Sequence, residues 1–275
     1  MKEYILPILI FLGFGALSGI LLLIASKVLA VKTDETEAKI TEALPGANCG
    51  GCGYSGCAGY AAAVAHDGAP TNLCKPGGAD VMKKINAIMG TEGGEFIREV
   101  AYVRCNGCEK ATKDRFTFTG TKSCAAVEKF YNGKGECRFG CDGYGDCAAV
   151  CSNDAITIAD GVAVVDPAKC GGCGKCVTAC PNHLIFLRKE TSTVALRCSS
   201  KDSGKVTRTV CTNGCIGCKI CEKKCPHGAV IVADNHAVID YDKCTSCGTC
   251  VSACPRKCLV NITCTHSDKA ELADK

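Results

Sequence analysis

Cysteine is the residue type with the clearest chemistry in this chain: 27 of its 275 residues are cysteines. Most lie two or three residues from the next, which suits joint binding of one metal centre better than a disulfide between neighbours. The total is odd, tryptophan is absent and aromatic residues make up 5% of the chain. Small modules held by metal–thiolate bonds in a reducing compartment are therefore predicted, instead of a large apolar core or a disulfide framework.

Three cysteine runs have the spacing C-x2-C-x2-C-x3-C-P, which is typical of bacterial two-cluster ferredoxins. They cover residues 170–181, 215–226 and 244–255. In such a run, three thiolates bind three corners of one [4Fe–4S] cube and the fourth cysteine ligates the partner cluster. Zinc is the alternative, because paired C-x2-C motifs bind it well. Zinc does not account for consecutive runs with crossing ligands, so iron–sulfur clusters are predicted.

The chain repeats itself between residues 137–181 and 211–255, at an offset of 74 residues that superposes eight cysteines. Between the cysteine runs, AITIADGVAVVDPAKC matches AVIVADNHAVIDYDKC. This match predicts two short β-strands around a turn at residues 160–161 or 234–235. The stretches VTAC and VSAC suit one helical turn. Each repeat is therefore predicted to be a small α+β unit with two cysteine runs.

Crossed ligation assigns four clusters, numbered 2 to 5, to the two repeats. The regular sets are Cys151, Cys170, Cys173 and Cys176 for cluster 3; Cys215, Cys218, Cys221 and Cys254 for cluster 4; and Cys225, Cys244, Cys247 and Cys250 for cluster 5. Cluster 2 departs from the pattern, because Tyr144 stands where the second repeat has Cys218. With Cys137 as the substitute, its predicted ligands are Cys137, Cys141, Cys147 and Cys180, and the aligned Cys211 is spare.

A glycine-rich stretch, LPGANCGGCGYSGCAGYAAAV, occupies residues 44–64. With one later cysteine it has the spacing C-x2-C-x4-C-x16-C, which supplies the predicted ligands of cluster 1: Cys49, Cys52, Cys57 and Cys74. The glycines let backbone N–H groups approach cluster sulfides closely. The sequence AGYAAAVAHDG predicts a helix that ends at Gly68 and brings Cys74 back to the others. A zinc knuckle, or a glycine-rich loop with incidental cysteines, is the alternative.

Seven cysteines remain outside these five sets: Cys105, Cys108, Cys124, Cys198, Cys211, Cys258 and Cys264. The stretch RCNGCEKATKDRFTFTGTKSC supplies the first three, which with Cys198 or Cys211 form a candidate sixth centre. Free thiols, buried or at the surface, are the alternative. About five [4Fe–4S] clusters are therefore predicted, or six if the surplus cysteines bind one.

The chain begins with an uncharged segment, YILPILIFLGFGALSGILLLIAS, over residues 4–26. As a helix it would extend about 35 Å, enough to cross a bilayer. A cleaved signal peptide is the alternative, but the apolar run is long for one and ASKVLAVK is a poor cleavage site. A single-pass anchor in the cytoplasmic (inner) membrane is therefore predicted, with the cysteine-rich residues 27–275 on the reducing cytoplasmic side.

The predicted fold class is α+β: an N-terminal transmembrane helix, a small [4Fe–4S] domain and two bacterial two-cluster ferredoxin-like modules. The predicted domains are a transmembrane anchor at 1–30, a single-cluster domain at 31–92, a cysteine-containing connecting region at 93–134, ferredoxin-like module 1 at 135–186, a linker at 187–210, ferredoxin-like module 2 at 211–260 and a polar tail at 261–275. The net charge of +4 is too small to indicate nucleic-acid binding.

This order of segments, with the stretches GCDGYGDCAAVCSNDAI and RCSSKDSGKVTRTVCTNGCIGCKICEKKCP, resembles the B subunits of Rnf electron-transport complexes over nearly the whole chain. The resemblance implies a membrane complex that moves electrons between reduced ferredoxin and NAD, coupled to translocation of Na⁺ or H⁺. It also implies that the flavin and nicotinamide sites belong to other membrane and flavin subunits, in contact with lipid. The sequence agrees, since no G-x-G-x-x-G motif follows a predicted strand.

Electron transfer of this kind requires no catalytic acid, base or nucleophile in the chain. Residues 188–224 carry nine Lys or Arg against three Asp or Glu, which favours docking of an acidic soluble ferredoxin; a merely solvated basic face is the alternative.

Two other functions stay open: an electron-transfer component of another membrane oxidoreductase, such as a hydrogenase, and a membrane-anchored iron–sulfur sensor.

Overall fold

The computed structural model describes residues 2–28, 34–92 and 94–262, with side chains in the first helix only over 11–24. The helices are α1 Lys2–Val28, α2 Glu35–Ala43, α3 Cys57–His66, α4 Gly78–Met89, α5 Cys124–Tyr131, α6 Asp146–Ala149, α7 Lys175–Ala179, α8 Gly204–Val210, α9 Ile220–Lys224 and α10 Thr249–Ala253. The strands are β1 Glu99–Val103, β2 Ile156–Ala159, β3 Val162–Val165, β4 Ile185–Lys189, β5 Val194–Leu196, β6 Val230–Ala233, β7 His236–Ile239 and β8 Leu259–Asn261. Cys264 and most of the predicted polar tail lie outside the described residues.

Helix α1 occupies the segment predicted to be a membrane anchor. Residues 11–24 of this helix are exposed. Across the three described stretches, no helix is long and apolar enough to cross a membrane. The transmembrane helix in the predicted fold class is therefore wrong. The small mixed α and β units of the prediction are present.

Residues 34–92 form a small helical domain of α2, α3 and α4. Ile40, Tyr60 and Ile85, one from each helix, are at most 1% exposed and lie in one apolar core. Helix α3 ends as predicted just before Gly68, whose φ of +66° lies in the left-handed region that ends helices. The glycine-rich cysteine loop precedes α3 at the edge of this core.

Two β-hairpins form where the repeat predicted them. Strand β2 pairs with β3, and β6 pairs with β7, both antiparallel. Both central residues of each turn have positive φ, at 48° and 77° for Asp160 and Gly161 and at 46° and 63° for Asp234 and Asn235. Two consecutive positive φ values are the requirement of the type I′ turn, whose twist matches that of the flanking strands. The predicted strands and turns are confirmed.

Each hairpin unit is completed by a strand from outside its predicted boundaries. Strand β1, from the predicted connecting region, pairs antiparallel with β4. Strand β5, from the predicted linker, pairs antiparallel with β8. A lone final strand would leave its backbone hydrogen bonds unpaired beside the core, and the upstream strand supplies the partners.

Each completed module closes around its own core. Module 1, residues 99–189, buries Val100 on β1 at 0% exposure. Module 2, residues 194–262, buries Val194 on β5 and Leu259 on β8 at 1% and 2% exposure. Cysteines from the metal-binding runs belong to both cores, so the candidate sites lie inside the modules.

In each module a long segment, here called the excursion, follows the outer strand and ends before the first short helix of the repeat, which is α6 in module 1 and α9 in module 2. In module 1 it covers residues 104–145 and contains α5; in module 2 it covers 197–219 and contains α8. The two excursions meet, since the Thr112 hydroxyl donates to the Val210 carbonyl at 2.7 Å. The junction between the modules is therefore built from these excursions.

Candidate iron–sulfur sites

The last cysteine of three runs accepts a hydrogen bond from the backbone N–H four residues further on. The N to Sγ distances are 3.3 Å for Ala155 to Cys151, 3.4 Å for Leu184 to Cys180 and 3.3 Å for Ala229 to Cys225. The contact recurs because each cysteine follows a short helix and leads into a strand by the same turn. Such donors stabilise negative charge on a ligand thiolate.

The predicted ligands of cluster 3 lie around one cavity, which is lined by Cys151, Cys170, Cys173 and Cys176. Its walls include Ala101 and Leu187, and the Ala101 N–H lies 3.4 Å from the Cys170 sulfur. Burial, reinforced by neighbouring thiolates, raises the pKa of Cys176 to about 12. A metal centre that binds here must displace that proton.

The predicted ligands of cluster 4 also share a cavity, which is lined by Cys215, Cys218, Cys221 and Cys254. Val232 and Leu259 contribute apolar wall. Cys218 is exposed, whereas Cys221 is buried. Cluster 4 would therefore have one ligand at the protein surface.

Cys258, a surplus cysteine, lies beside this cavity at 1% exposure. The repeat offset superposes it on the buried Leu184. Its thiol faces three acceptors: the Asn213 carbonyl at 3.2 Å and the sulfurs of Cys215 and Cys254. Because the thiol has a single S–H, it donates to one of these acceptors at a time. Hydrogen bonding from Cys258 is the main cause that lowers the pKa of Cys254 to about 5 and that of Cys215 to about 6. Lower pKa values favour the thiolate forms that bind iron.

The predicted ligands of cluster 5 also approach one another. Cys250 is buried, and burial followed by the charge of Cys244 raises its pKa, with Cys225 and Cys247 acting in the same direction. Cys247 is exposed and its sulfur lies 3.4 Å from the Thr249 hydroxyl. This site, like that of cluster 4, therefore has one ligand open to solvent.

The glycine-rich loop of the N-terminal domain gathers the four predicted ligands of cluster 1. Burial raises the pKa of Cys74, and the charges of Cys57, Cys49 and Cys52 add to the effect. A Cβ on Gly77 would lie 3.0 Å from the Cys74 sulfur and 2.6 Å from Val81, so a side chain does not fit there without movement. Glycine therefore lets the backbone pass close to the candidate ligand.

The structure separates the four predicted ligands of cluster 2. One cavity is lined by four cysteines: Cys124, Cys141, Cys147 and Cys180. Cys137 does not line this cavity; it lines another, between the modules, together with Cys141. Cys124, one of the surplus cysteines, takes its place beside the other three.

Cys124 reaches this cavity because the start of α5 is tied to α6. The Asp146 carboxylate accepts hydrogen bonds from the N–H groups of Cys124 at 3.0 Å and Ala125 at 2.9 Å. The Cys124 sulfur lies against backbone N–H groups that include that of Tyr144. Tyr144 is the residue that aligns with Cys218, so a sulfur from upstream occupies the missing ligand's place. Sequence spacing missed this pairing, because Cys124 lies outside the repeat.

The remaining surplus cysteines divide at the junction between the modules. Three of them, Cys105, Cys198 and Cys211, line the same cavity as Cys137 and Cys141. Cys108 is half-buried and does not line it. In the described part of the chain, no three Cys, His, Asp or Glu side chains approach closely enough to hold a single metal ion. A [4Fe–4S] cube binds each thiolate at a different iron corner, so its ligands lie further apart.

Paired antiparallel sheets around cysteine-lined cavities define the chain as an iron–sulfur electron-transfer protein built from two-cluster ferredoxin-like modules. A family model for an Fe-S cluster matches residues 44–76, and two models described as 4Fe-4S dicluster domains match 169–229 and 214–259. The family model that matches 169–229 covers one cysteine run of module 1 and one of module 2. In the structure, the paired strands β2 and β3 connect the two cysteine runs of module 1, and β6 and β7 connect those of module 2. The shared cysteine spacing explains the match across the boundary.

Similar proteins identify the family more narrowly. The B subunit of the ion-translocating oxidoreductase complex of Methanosarcina acetivorans is 40% identical over 90% of this chain and 94% of its own length. The B subunit of the Na⁺-translocating ferredoxin:NAD⁺ oxidoreductase complex of Acetobacterium woodii is 43% identical over 94% and 78%. The equivalent protein of the proton-translocating complex of Clostridium ljungdahlii is 36% identical over 93% and 91%. The chain belongs to this family, the B subunits of ion-translocating (Rnf) oxidoreductase complexes.

Proposed function

We propose that this chain is the electron-relay iron–sulfur subunit of an ion-translocating ferredoxin:NAD oxidoreductase, which accepts electrons from reduced soluble ferredoxin and passes them to membrane and flavin subunits. The clustering of cysteines around cavities in both modules, one of which also includes Cys49 of the N-terminal domain, carries the proposal. Bound [4Fe–4S] clusters would supply one-electron transfer, and potentials near about −400 mV lie within the range that proteins reach. Clusters 1, 3, 4 and 5 keep the ligand sets derived from the sequence.

Contacts between the N-terminal domain and module 1 support a passage from cluster 1 to cluster 3. Cys49, a ligand of cluster 1, lines the same cavity as Cys173, a ligand of cluster 3. A Cβ on Gly51 would lie 2.9 Å from the Cys173 carbonyl oxygen. Lys75 and Glu99 form an ion pair at 3.2 Å across the same contact. The two ligand loops therefore touch directly.

Crossed ligands support passage within each module. The charge of Cys147, on the cluster 2 side, is among the causes that raise the pKa of Cys176, on the cluster 3 side, after burial. In module 2, Cys225 on the α9 side belongs to cluster 5 and Cys254 on the α10 side to cluster 4. Helices α9 and α10 pack against each other, so the two sites of this module are adjacent.

An exposed basic surface near cluster 4 supports docking of an acidic ferredoxin. Lys201, Lys205 and Arg208, on and just before α8, are exposed. The Lys201 carbonyl accepts a hydrogen bond from Asn235 at 3.1 Å, and the Asn235 carbonyl would lie 2.8 Å from a Cβ on Gly217. Gly217 precedes the exposed Cys218. Opposite charge here would steer a negatively charged donor toward that ligand.

The proposed relay function implies a cellular compartment and partner subunits for the chain. We place its cysteine-rich residues in the reducing cytoplasm, because oxidising conditions convert free thiols to disulfides. Its membrane association follows from assembly with the other subunits, which would carry the flavin, the nicotinamide site and the contacts with lipid. A hydrogenase-type complex would differ in its co-purifying subunits, and a sensor would not pass electrons from ferredoxin to NAD.

Reconstitution of the full-length chain under anaerobic conditions tests the proposal. Iron, zinc and acid-labile sulfide are measured per chain, and the product is then mixed with reduced ferredoxin while cluster absorbance and EPR spectra are recorded. We expect at least about twenty iron and twenty sulfide, with reduction by ferredoxin. Zinc without sulfide would overturn the iron–sulfur assignment, and clusters that ferredoxin does not reduce would overturn the relay.

A further inference from the structure

Four cysteines face one another across the junction between the two modules. We call the cavity at this junction the intermodule site. Five cysteines line it: Cys105, Cys137, Cys141, Cys198 and Cys211. Cys141 also lines the cluster 2 cavity, so the other four are the candidate ligands. A Cβ on Gly107 would lie 3.5 Å from the Cys105 sulfur and 3.9 Å from the Cys211 sulfur. Thiols from different modules therefore approach the same backbone segment.

The four cysteines form two equivalent pairs, one pair from each repeat. Cys137 and Cys211 are superposed by the offset of 74 residues. Cys105 and Cys198 each follow an arginine at the end of the outer strand. The backbone N–H groups of these two arginines donate to carbonyls at equivalent positions. Arg104 donates to the Leu184 carbonyl at 2.7 Å, and Arg197 donates to the Cys258 carbonyl at 2.8 Å. Each module thus presents the same two thiols to the junction.

Backbone donors surround the thiols as they surround the regular ligands. The Cys105 sulfur accepts from the Gly107 N–H at 3.4 Å and from the N–H of Cys141. The Cys198 sulfur accepts from the Cys215 N–H at 3.3 Å and from that of Ser200. Cys141 and Cys215 are themselves superposed by the offset. The donor pattern is therefore repeated and suits ligand thiolates.

Positive charge is also buried at the intermodule site. Arg197 is 7% exposed and its Nη2 donates to the Cys105 carbonyl at 3.2 Å. Arg104, its counterpart, lines the cavity, and its Nε is buried without a hydrogen-bond partner in the described residues. A buried cation is costly unless negative charge compensates it. A centre with four thiolate ligands supplies such charge.

An ion pair and a hydrogen bond between the two modules hold the junction that positions these thiols. Arg138, next to Cys137, pairs with Asp202 at 2.9 Å across the modules. The Asn213 amide donates to the Asn106 carbonyl at 2.9 Å. These contacts flank the cysteines on both sides, so the four thiols are held by a formed interface.

From these observations we infer that Cys105, Cys137, Cys198 and Cys211 bind a sixth [4Fe–4S] cluster, shared by the two modules. Cys124 then completes cluster 2 in place of Cys137. The backbone of Cys141, a cluster 2 ligand, contacts the intermodule site on one side, and that of Cys215, a cluster 4 ligand, contacts it on the other. The sixth cluster therefore joins the two halves of the relay; this inference rests on the iron–sulfur chemistry of the proposed function.

Iron and sulfide counts on the anaerobically reconstituted full-length chain test the inference. Wild type is expected to hold about twenty-four iron and twenty-four sulfide, and each single serine variant of Cys105, Cys137, Cys198 or Cys211 about twenty. Cys108→Ser is the matched control, because this cysteine lies at the same junction but outside the cavity, and it should retain the wild-type count. A wild-type count of about twenty overturns the sixth cluster alone, whereas zinc without sulfide overturns the proposed function as well.

Double variants separate ligand loss from unfolding. Cys105→Ser with Cys198→Ser should lose the same four iron as either single change, because both remove ligands of one cluster. Cys124→Ser with Cys198→Ser should lose about eight, because two clusters are affected. EPR of the remaining clusters and the elution volume report whether the chain stays folded. Eight iron lost from the first pair, or no loss from Cys124→Ser, would overturn the ligand sets.

Discussion

The carboxylate of Asp146 accepts a hydrogen bond from the backbone N–H of Cys124 at 3.0 Å, which ties the start of α5 to α6. The same carboxylate accepts from Ala125 at 2.9 Å and from the Ser123 hydroxyl at 2.9 Å. Burial opposes ionisation of Asp146, but these donors outweigh it and lower the pKa of the carboxyl. A single carboxylate therefore positions a candidate ligand beside Cys147.

Replacement of Asp146 by alanine should loosen cluster 2 selectively. The change removes the acceptor at the start of α5, which costs about 1–2 kcal/mol for a helix cap, and frees the Cys124 sulfur from its position. We expect about four iron fewer per chain, or faster bleaching of one cluster in air. Asp146→Asn keeps an acceptor oxygen and should lie between alanine and wild type. An alanine variant with full iron and wild-type oxygen sensitivity would contradict this role.

Replacement of Gly51 by alanine should disturb the contact between the N-terminal domain and module 1. The new Cβ would lie 2.9 Å from the Cys173 carbonyl oxygen, which belongs to a backbone that cannot easily yield. Clusters 1 and 3 should then move apart with little loss of iron. The measurement is their magnetic interaction in EPR spectra of the reduced protein, which should weaken.

Gly94→Ala is the control for this contact, because its nearest neighbour is the Asn72 amide at 3.5 Å, an ordinary van der Waals separation. It should leave the EPR spectrum unchanged. An unchanged interaction in Gly51→Ala as well would show that the two loops do not determine the spacing of clusters 1 and 3.

Replacement of Tyr60 by phenylalanine should weaken the N-terminal domain in a pH-dependent way. Its hydroxyl donates to the Pro70 carbonyl at 2.7 Å and accepts from the Leu73 N–H at 3.3 Å, next to Cys74. Loss of these bonds should lower the free energy of unfolding by about 1–2 kcal/mol near neutral pH.

The sign of the pH effect follows from the tyrosine itself. Burial raises the pKa of Tyr60 to about 12, so the folded state favours the neutral phenol. That stabilisation is complete below about pH 10 and is lost as pH rises from about 10 to 12. The stability difference between wild type and Tyr60→Phe should therefore shrink over this range. Denaturant unfolding at several alkaline pH values measures it, and a constant difference would refute the assignment.

Neutralising Lys201, Lys205 and Arg208 together should weaken docking of reduced ferredoxin. With opposite charges driving encounter, we expect the apparent KM for ferredoxin to rise roughly tenfold at low ionic strength and the difference to vanish at high salt. Alanine replacement of Lys83 and Lys84, exposed on α4, removes positive charge elsewhere and should have little effect. An unchanged KM at low salt would exclude this surface as the docking site.

The sequence predicted the parts of the fold whose information is local. Cysteine intervals, the positive-φ turn residues and the helix that ends before Gly68 all act over a few residues, and the structure agrees with the predicted hairpins and helix. The strands β1 and β5 were missed, because each pairs with a strand that lies far away in sequence. Hydrophobic alternation over three to five residues does not specify such a distant partner.

The candidate sites show the same limit. Spacing grouped the candidate ligands of clusters 1, 3, 4 and 5, and these sets stay predictions. It did not connect Cys124 with Cys147, since that pairing depends on the Asp146 contact with α5. Spacing grouped Cys105 with Cys198 or Cys211 in a candidate sixth centre, but it did not show that Cys105 and Cys198 are equivalent, because the longer excursion in module 1 hides this from a constant offset of 74 residues. Hydropathy likewise suggested a spanning helix over residues 4–26, which the structure contradicts.

The equivalence of Cys105 with Cys198, and of Cys137 with Cys211, has a consequence for how the proposed set is assembled. One module alone carries half of a ligand set, and two copies related by a two-fold axis would complete it through a self-complementary contact. Joining both modules in one chain keeps the two halves of the proposed set together at any protein concentration. Because the halves share a chain, they need not be identical, as Cys124 and the long excursion of module 1 illustrate, while the proposed shared centre keeps their mutual orientation fixed.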